Sequence, residues 1–391
     1  MPKKANTRRA QGEGTIRQRK DGTWEARYTV GRDPGTGKQI QKSVYGPTQK
    51  AVRQKLQQIA QAIDEGTYFE PSKMTVAAWM ETWLQEYLGN VKPGTVANYT
   101  QHVRNHIVPA LGAVKLSALQ PPQIQHLYNQ MQADGLSAKT IKNLHGAMHR
   151  ALQTAVRMGY LKTNPAEGCI LPRIQQKEIR PLDTPEITRF FEAIKGHKYE
   201  ILFKVDVFTG LRSGEILGLT WDCVDFDAGT IFVCKQLCPP RVKGATYTFG
   251  TLKNDKPRMI TPAPYVMQLL KQRKREQNIQ RLEVGDAWDE GDFPNLVFTN
   301  ERGKHLTQCA VWKIMQKLLK DSGIENLRFH DLRHTYAVNS LRSGDDVKTV
   351  QENLGHHTAA FTLDKYGHVT DTMKRASADR MEQFIQTIPN A

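Results

Sequence analysis

The chain has 391 residues, 39% of them apolar, which is enough for two or three buried cores and argues against disorder. Lysine and arginine number 55 against 39 acids, and the net of +16 favours a polyanionic partner, nucleic acid before membrane. No apolar run reaches about eighteen residues, and no apolar segment follows the basic N-terminus. Neither a membrane span nor a signal peptide is therefore expected, and the protein should stay in the cytoplasm. Five irregularly spaced cysteines, Cys169, Cys223, Cys234, Cys238 and Cys309, give no disulfide framework. The lone C-x3-C of Cys234 and Cys238 reads as small apolar side chains.

The first 55 residues carry 14 basic residues against four acids, a net of 14 − 4 = +10. Thr23 to Val30 alternates, with Trp24, Ala26, Tyr28 and Val30 on one face and Arg27 on the other. Thr15 to Arg19 predicts a partner strand bearing Arg17 and Arg19, joined through the Lys20-Asp21-Gly22 turn. A third strand is expected over Gln39 to Tyr45, carrying Lys42, and a helix from Thr48 to Ile63. A small sheet with a basic face suits a DNA groove, with Arg17, Arg19, Arg27 and Lys42 as contacts.

A linker over Gly66 to Lys73 precedes a helical block. Val76, Trp79, Met80, Trp83, Leu84, Tyr87 and Leu88 follow helical spacing. Further helices are expected over Pro93 to Val108, over Pro121 to Ala133, and from a Ser137 cap through Val156. Their apolar stripes, the tryptophan pair included, read as core. A second linker covers Gly168 to Arg180. Asp183-Thr184-Pro185-Glu186 then announces a helix through its cap, early proline and early acid. The remainder is mostly helical, interrupted by strands at Thr230 to Cys234, Thr246 to Thr251 and Arg258 to Thr261. Leu296 to Thr299 reads as a short buried strand or extended stretch.

The C-terminal half holds the residues suited to chemistry. Arg212 stands in TGLRSGEILGL, where a turn opens a helix and free N–H groups suit an oxyanion. Taken alone, it could equally pair with Glu215. Lys253 falls in a polar turn between two strands, with Lys256 and Arg258 close by. In HDLRHT, His330 and Arg333 share a helical face. His330 and His334 also have zinc-ligand spacing. Asp331, however, stands where a zinc hydrolase carries glutamate, and no third ligand follows, so no metal is expected. His356 in LGHH and Tyr366 in TLDKYGHV complete the set. Two arginines, a lysine, two histidines and a late tyrosine offer fixed cations for a phosphoryl group, with neither a Walker loop nor an acidic metal cluster.

In this order and with these flanks, the chain resembles the tyrosine recombinases, specifically the phage and conjugative-transposon integrases. The likeness is densest over residues 205 to 368. It extends more weakly to an arm-binding sheet and a helical core-binding domain. The resemblance implies a multidomain, mainly α protein with small β-sheets. Its parts would be an arm-type DNA-binding domain over 1–66, a helical, SAM-like core-binding domain over 72–168, and a catalytic domain with its tail over 178–391. It implies a site-specific recombinase that integrates and excises a mobile element, a phage genome included, through a 3′-phosphotyrosyl intermediate. Tyr366 would be the nucleophile. Arg212 and Arg333 would bind the scissile phosphate, and Lys253 would protonate the leaving 5′-oxygen. His330 and His356 would hydrogen-bond the phosphate, with Glu215 and Asp331 in support. No cofactor is implied. The implied partners are double-stranded DNA at core and arm sites, three further copies in a tetramer, an excisionase and a host DNA-bending protein, in a bacterial cytoplasm near the nucleoid. The apolar Met381, Phe384, Ile385 and Ile388 near the end fit docking on a neighbouring protomer or on their own domain. A type IB topoisomerase and a catalytically silent DNA-binding regulator are the rival readings.

Overall fold

The computed structural model describes residues 15–33, 35–64, 73–175, 180–241, 244–252, 255–325, 327–366 and 371–388. The expected first linker, except Lys73, and Lys253 lie outside these residues. The chain divides into two units, Met1–Gln175 and Gln176–Ala391.

In the first unit, β1 (Thr15–Gln18), β2 (Trp24–Arg32) and β3 (Gln39–Gly46) form an antiparallel sheet in that order. The Asp21 carboxylate accepts from the backbone N–H and the hydroxyl of Thr23, closing the turn between β1 and β2. Helix α1 (Gln49–Asp64) covers one face, burying Ala26 and Tyr28 against Val52 and Leu56. Arg17 pairs across from Glu25, and Arg27 from Ser43, on the opposite face. Lys42 pairs across from Tyr28, so it belongs to the helix-packed face and not to the arginine face.

The helical part of this unit follows the 3.6-residue period. Helix α2 (Val76–Glu86) is capped by the Thr75 side chain. Helix α3 (Pro93–His102) runs through a widened π turn at Val103–Ile107 into α4 (Val108–Leu111). The single helix expected over Pro93 to Val108 is thus interrupted, because Pro109 has no N–H to return to the carbonyl four residues before it. Helix α5 (Pro121–Ala133) has the expected bounds, and Ser137 caps α6 (Ala138–Arg157). Trp79 and Trp83 are core residues, with the Trp79 indole donating to the Ala151 carbonyl at 3.0 Å.

In the second unit, Asp183 and Glu186 form a reciprocal capping box at the start of α7 (Thr184–Ile194). Helix α8 (Glu200–Thr209), α9 (Ser213–Leu217) and α10 (Pro264–Val284) follow in the chain, with the strands between α9 and α10. The three expected strands do not form one patch. One sheet has the order β4 (Val224–Asp225), β5 (Thr230–Val233), β8 (Arg258–Ile260). The other pairs β6 (Gln236–Cys238) with β7 (Thr248–Gly250). Leu296 to Thr299 forms no strand: it is buried and makes isolated bridges at its ends, to Thr220 and His305, with a bend at Val297 and Phe298 between them.

Helices α11 (Gln308–Asp321), α12 (Phe329–Arg342), α13 (Val347–Leu354), α14 (Ala359–Tyr366) and α15 (Asp371–Gln386) complete the unit. Its main core includes Phe190, Phe203, Leu217, Ile231, Val297, Met315 and Leu332. A smaller core joins Ala337, Leu341, Val350, Leu354 and Tyr366. Met381, Phe384, Ile385 and Ile388 stand 58%, 60%, 40% and 45% exposed, so packing on their own unit does not bury them. No described helix is long and apolar enough to cross a membrane.

Candidate active site

Two left-handed glycines set the arginines. Gly210 ends α8 at φ 59° and Gly355 ends α13 at φ 63°, and each turns its carbonyl toward a guanidinium. Arg333 donates to the Gly210 carbonyl at 2.7 Å and to the Leu354 carbonyl. Arg212 donates to the Gly355 carbonyl at 3.1 Å. A Cβ on Gly210 would lie 2.6 Å from Tyr336 Cδ1, and one on Gly355 would lie 2.9 Å from Arg258 Nη1. Space and backbone conformation both require glycine at these two positions.

Glu215 ties the first arginine down. Its Oε1 accepts from Arg212 Nη1 at 2.6 Å and its Oε2 from Arg258 Nη2 at 2.7 Å. Arg258 also donates through Nε to the Asn353 carbonyl at 2.7 Å. Burial pushes the Glu215 carboxyl up, but the two guanidinium groups outweigh it and bring it down to about 2. Arg212 thus pairs with Glu215 and still reaches a cavity of 310 Å³, lined also by Lys256, Arg258, Gln351, His356 and His357.

Arg333 is 1% exposed. Burial, with Arg212 and Arg258 nearby, lowers its guanidinium to about 9. His330 stands exposed near the start of α12; partial loss of solvent, with His334, Arg333 and Arg212 beside it, brings it down to about 4. His356 falls to about 3 by burial, then by Arg333 and Arg212. Both imidazoles are neutral at neutral pH, each with one N–H to donate and one nitrogen to accept. His356 Nδ1 lies 3.0 Å from Thr362 Oγ1.

Tyr366 enters this group from α14, 5% exposed. Burial raises its phenol to about 12, against the opposing pull of Arg333. Its ring stacks with His356 at a centroid distance of 6.2 Å, and its Oη lies 2.5 Å from His334 Nδ1. On α12, Asp331 accepts from Arg328 at 2.8 Å and faces His334 Nε2 at 3.9 Å. Residues 212, 330, 333, 356 and 366 therefore come together, with Glu215 and Asp331 beside them. Among the described residues no group of three His, Cys, Asp or Glu could hold a metal ion.

Two comparisons decide the family. The phage integrase family model matches residues 180–373, and the phage integrase N-terminal SAM-like domain matches residues 75–132. A tyrosine recombinase XerC-like protein of Caldanaerobacter subterraneus subsp. tengcongensis is 33% identical over 372 residues, covering 91% of this chain and 95% of that protein. The chain belongs to the phage integrase family, the tyrosine recombinases. The solved structures show the same fold. A Tn1549 transposon integrase bound to a circular-intermediate DNA aligns with a TM-score of 0.67 at 22% identity, over 79% of this chain and 99% of that one. A lambda integrase tetramer bound to a Holliday junction aligns at 0.57 and 18% identity, over 93% of this chain and 98% of that one.

Three residues of this cluster are not singled out by sequence reasoning as part of it. Arg258 counted only as a neighbour of Lys253, yet it is the second cation on Glu215. Asp206 gives no signal in an apolar helix, yet it is fully buried, and among the described residues neither carboxyl oxygen has a hydrogen-bond partner. Burial raises that carboxyl well above its ordinary value despite Arg333 nearby. His334 was weighed only as a zinc ligand. Its spacing from His330 placed it on the right face, but the partner from α14 could not be read.

Proposed function

We propose that the cluster around Arg212 and Arg333 is where this recombinase cleaves and rejoins DNA, with Tyr366 as the covalent nucleophile. The observation that carries the reading is a buried phenol among two arginines and two neutral imidazoles. Arginine forks suit the two non-bridging phosphate oxygens, where charge develops in phosphoryl transfer. Arg212 and Arg333 hold those oxygens, and His330 and His356 donate hydrogen bonds to them. Glu215 orients Arg212, and Asp331 steadies the start of α12. Lys253 protonates the leaving 5′-oxygen. The covalent 3′-phosphotyrosyl bond keeps the phosphoryl group available for rejoining.

The wider reading follows the domain plan. Residues 1–66 bind arm sites through Arg17, Arg19 and Arg27, residues 72–168 grip the core site, and residues 178–391 carry out the chemistry. Lys42, across from Tyr28 on the helix-packed face, is left out of the arm contacts. Four copies act on two duplexes, and the exposed apolar side chains of α15 supply a surface for a neighbour. An excisionase and a host DNA-bending protein set direction, in the bacterial cytoplasm on the nucleoid. The net charge of +16 and the family's structures on DNA support this reading.

The test is a nicked duplex carrying the element's attachment site, which traps the covalent complex. The wild-type chain should form a 3′-linked adduct, and Tyr366→Phe should bind the same duplex and form none. An adduct that persists in Tyr366→Phe would move the nucleophile elsewhere.

A further inference from the structure

We infer that His334 is the base that takes the phenolic proton of Tyr366. The inference rests on Tyr366 being the nucleophile, and it names a group the six-residue set does not contain. The phenol is buried and raised to about 12, so a proton acceptor is needed at neutral pH. Geometry selects it. His334 Nδ1 lies 2.5 Å from the reacting oxygen. His356 meets Tyr366 ring against ring and turns its Nδ1 to Thr362 Oγ1 instead.

With Nδ1 accepting, the imidazole proton resides on Nε2. There the Asp331 carboxylate stands 3.9 Å away, and Arg328 holds it through two side-chain hydrogen bonds of 3.0 and 2.8 Å. An anion on that side stabilises the imidazolium that forms when His334 takes the proton. Asp331, His334 and Tyr366 form an acid–imidazole–phenol series, with the acid and imidazole one helical turn apart on α12.

The step balances. The Tyr366 proton passes to His334 Nδ1, and the Oη–phosphorus bond forms. The phosphorus–5′-oxygen bond breaks, and that oxygen takes its proton from the general acid. On rejoining, the 5′-hydroxyl gives its proton back to the conjugate base of the general acid and attacks phosphorus, the Oη–phosphorus bond breaks, and the His334 imidazolium returns its proton to Tyr366 Oη.

The test is His334→Asn, whose side-chain oxygen can still accept from Tyr366 but cannot hold the proton. On the nicked duplex, adduct formation should slow by about a hundredfold or more, with DNA affinity unchanged. Replacing Tyr366 by a fluorinated, more acidic tyrosine should reduce that deficit to about tenfold or less. A 5′-sulfur leaving group relieves only the acid, so it should not restore the rate. If the asparagine substitution unfolds the chain, so that DNA binding is lost, His334→Gln is measured in the same way. Adduct formation at the wild-type rate or faster would overturn the base role, as would a deficit the fluorinated tyrosine leaves unchanged. If Tyr366→Phe still formed adducts, the nucleophile assignment itself would fail, which is a separate result from any of these.

Discussion

At the scale of single residues, the site is a balance of buried charge. Glu215 bridges Arg212 and Arg258 and offsets part of their charge, and Arg333 donates to the main-chain carbonyls of Gly210 and Leu354. Loss of solvent and the neighbouring guanidinium groups hold His330 and His356 neutral. The ordinary imidazole value of 6.5 applies to the unfolded chain, while folding lowers His330 to about 4 and His356 to about 3. The unfolded chain therefore takes up protons first as pH falls below 6.5, and stability drops until the folded values are reached. Glu215, at about 2 against 4.5, loses stability in the same direction at lower pH. Asp206 works in the opposite sense, since its raised carboxyl favours folding most at low pH. To isolate one imidazole, thermal melts of wild type and His356→Asn can be compared. Between about pH 7 and about pH 5 the wild type should lose about 1 kcal/mol more, after discounting for solvent screening. Equal losses would show that His356 is not held neutral by folding. Glu215 as the partner of Arg212 could be read from their spacing of three on a helix start. Its second partner, Arg258, lies 43 positions away and could not.

At the scale of elements, helix ends do the positioning. Helices α8 and α13 both stop on left-handed glycines whose carbonyls anchor the arginines. Alanine at 210 would meet both a strained backbone and the Tyr336 ring at 2.6 Å. Gly210→Ala should cost about 2 kcal/mol in urea unfolding, with cleavage losing more than stability explains because the Arg333 anchor moves. A variant with wild-type melting and wild-type cleavage would contradict this role for the turn. Helix limits were legible because caps and apolar period are local signals, as at Ser137 and Asp183. Strand partners were not legible. Residues 248–250 and 258–260 are both three-residue strands close in the chain, yet they join different sheets, because pairing is decided by distant neighbours.

At the scale of the whole molecule, the positive charge is unevenly placed and partly committed. Glu25 accepts from both Arg17 and Arg27 on the outward face of the N-terminal sheet, at 2.8 and 3.2 Å. Ser43 and the two arginines hold its carboxyl down at about 2. The arginine side chains remain about half exposed, at 55% and 50%, so they can still meet phosphates. In the full chain on DNA with arm sites, replacing both by alanine should flatten the plot of log affinity against log salt by up to about two phosphate contacts. Replacing Lys42, on the helix-packed face, should change that slope less. An unchanged slope in the double variant would remove this face from arm binding.

Family membership, most helix limits, the strands bearing Arg17 and Arg27, and the order of candidate groups from Arg212 to Tyr366 can be read from the chain alone. Each of these rests on local period, local capping or a run of neighbouring residue types. Tertiary structure decided what those residues meet. It set His334 against the Tyr366 oxygen, shared Glu215 between two arginines, buried Asp206 within the electrostatic reach of Arg333, and turned Lys42 away from the arginine face. Such contacts join positions tens of residues apart through packing and backbone conformation, and the free energy that selects them belongs to the assembled core rather than to any segment.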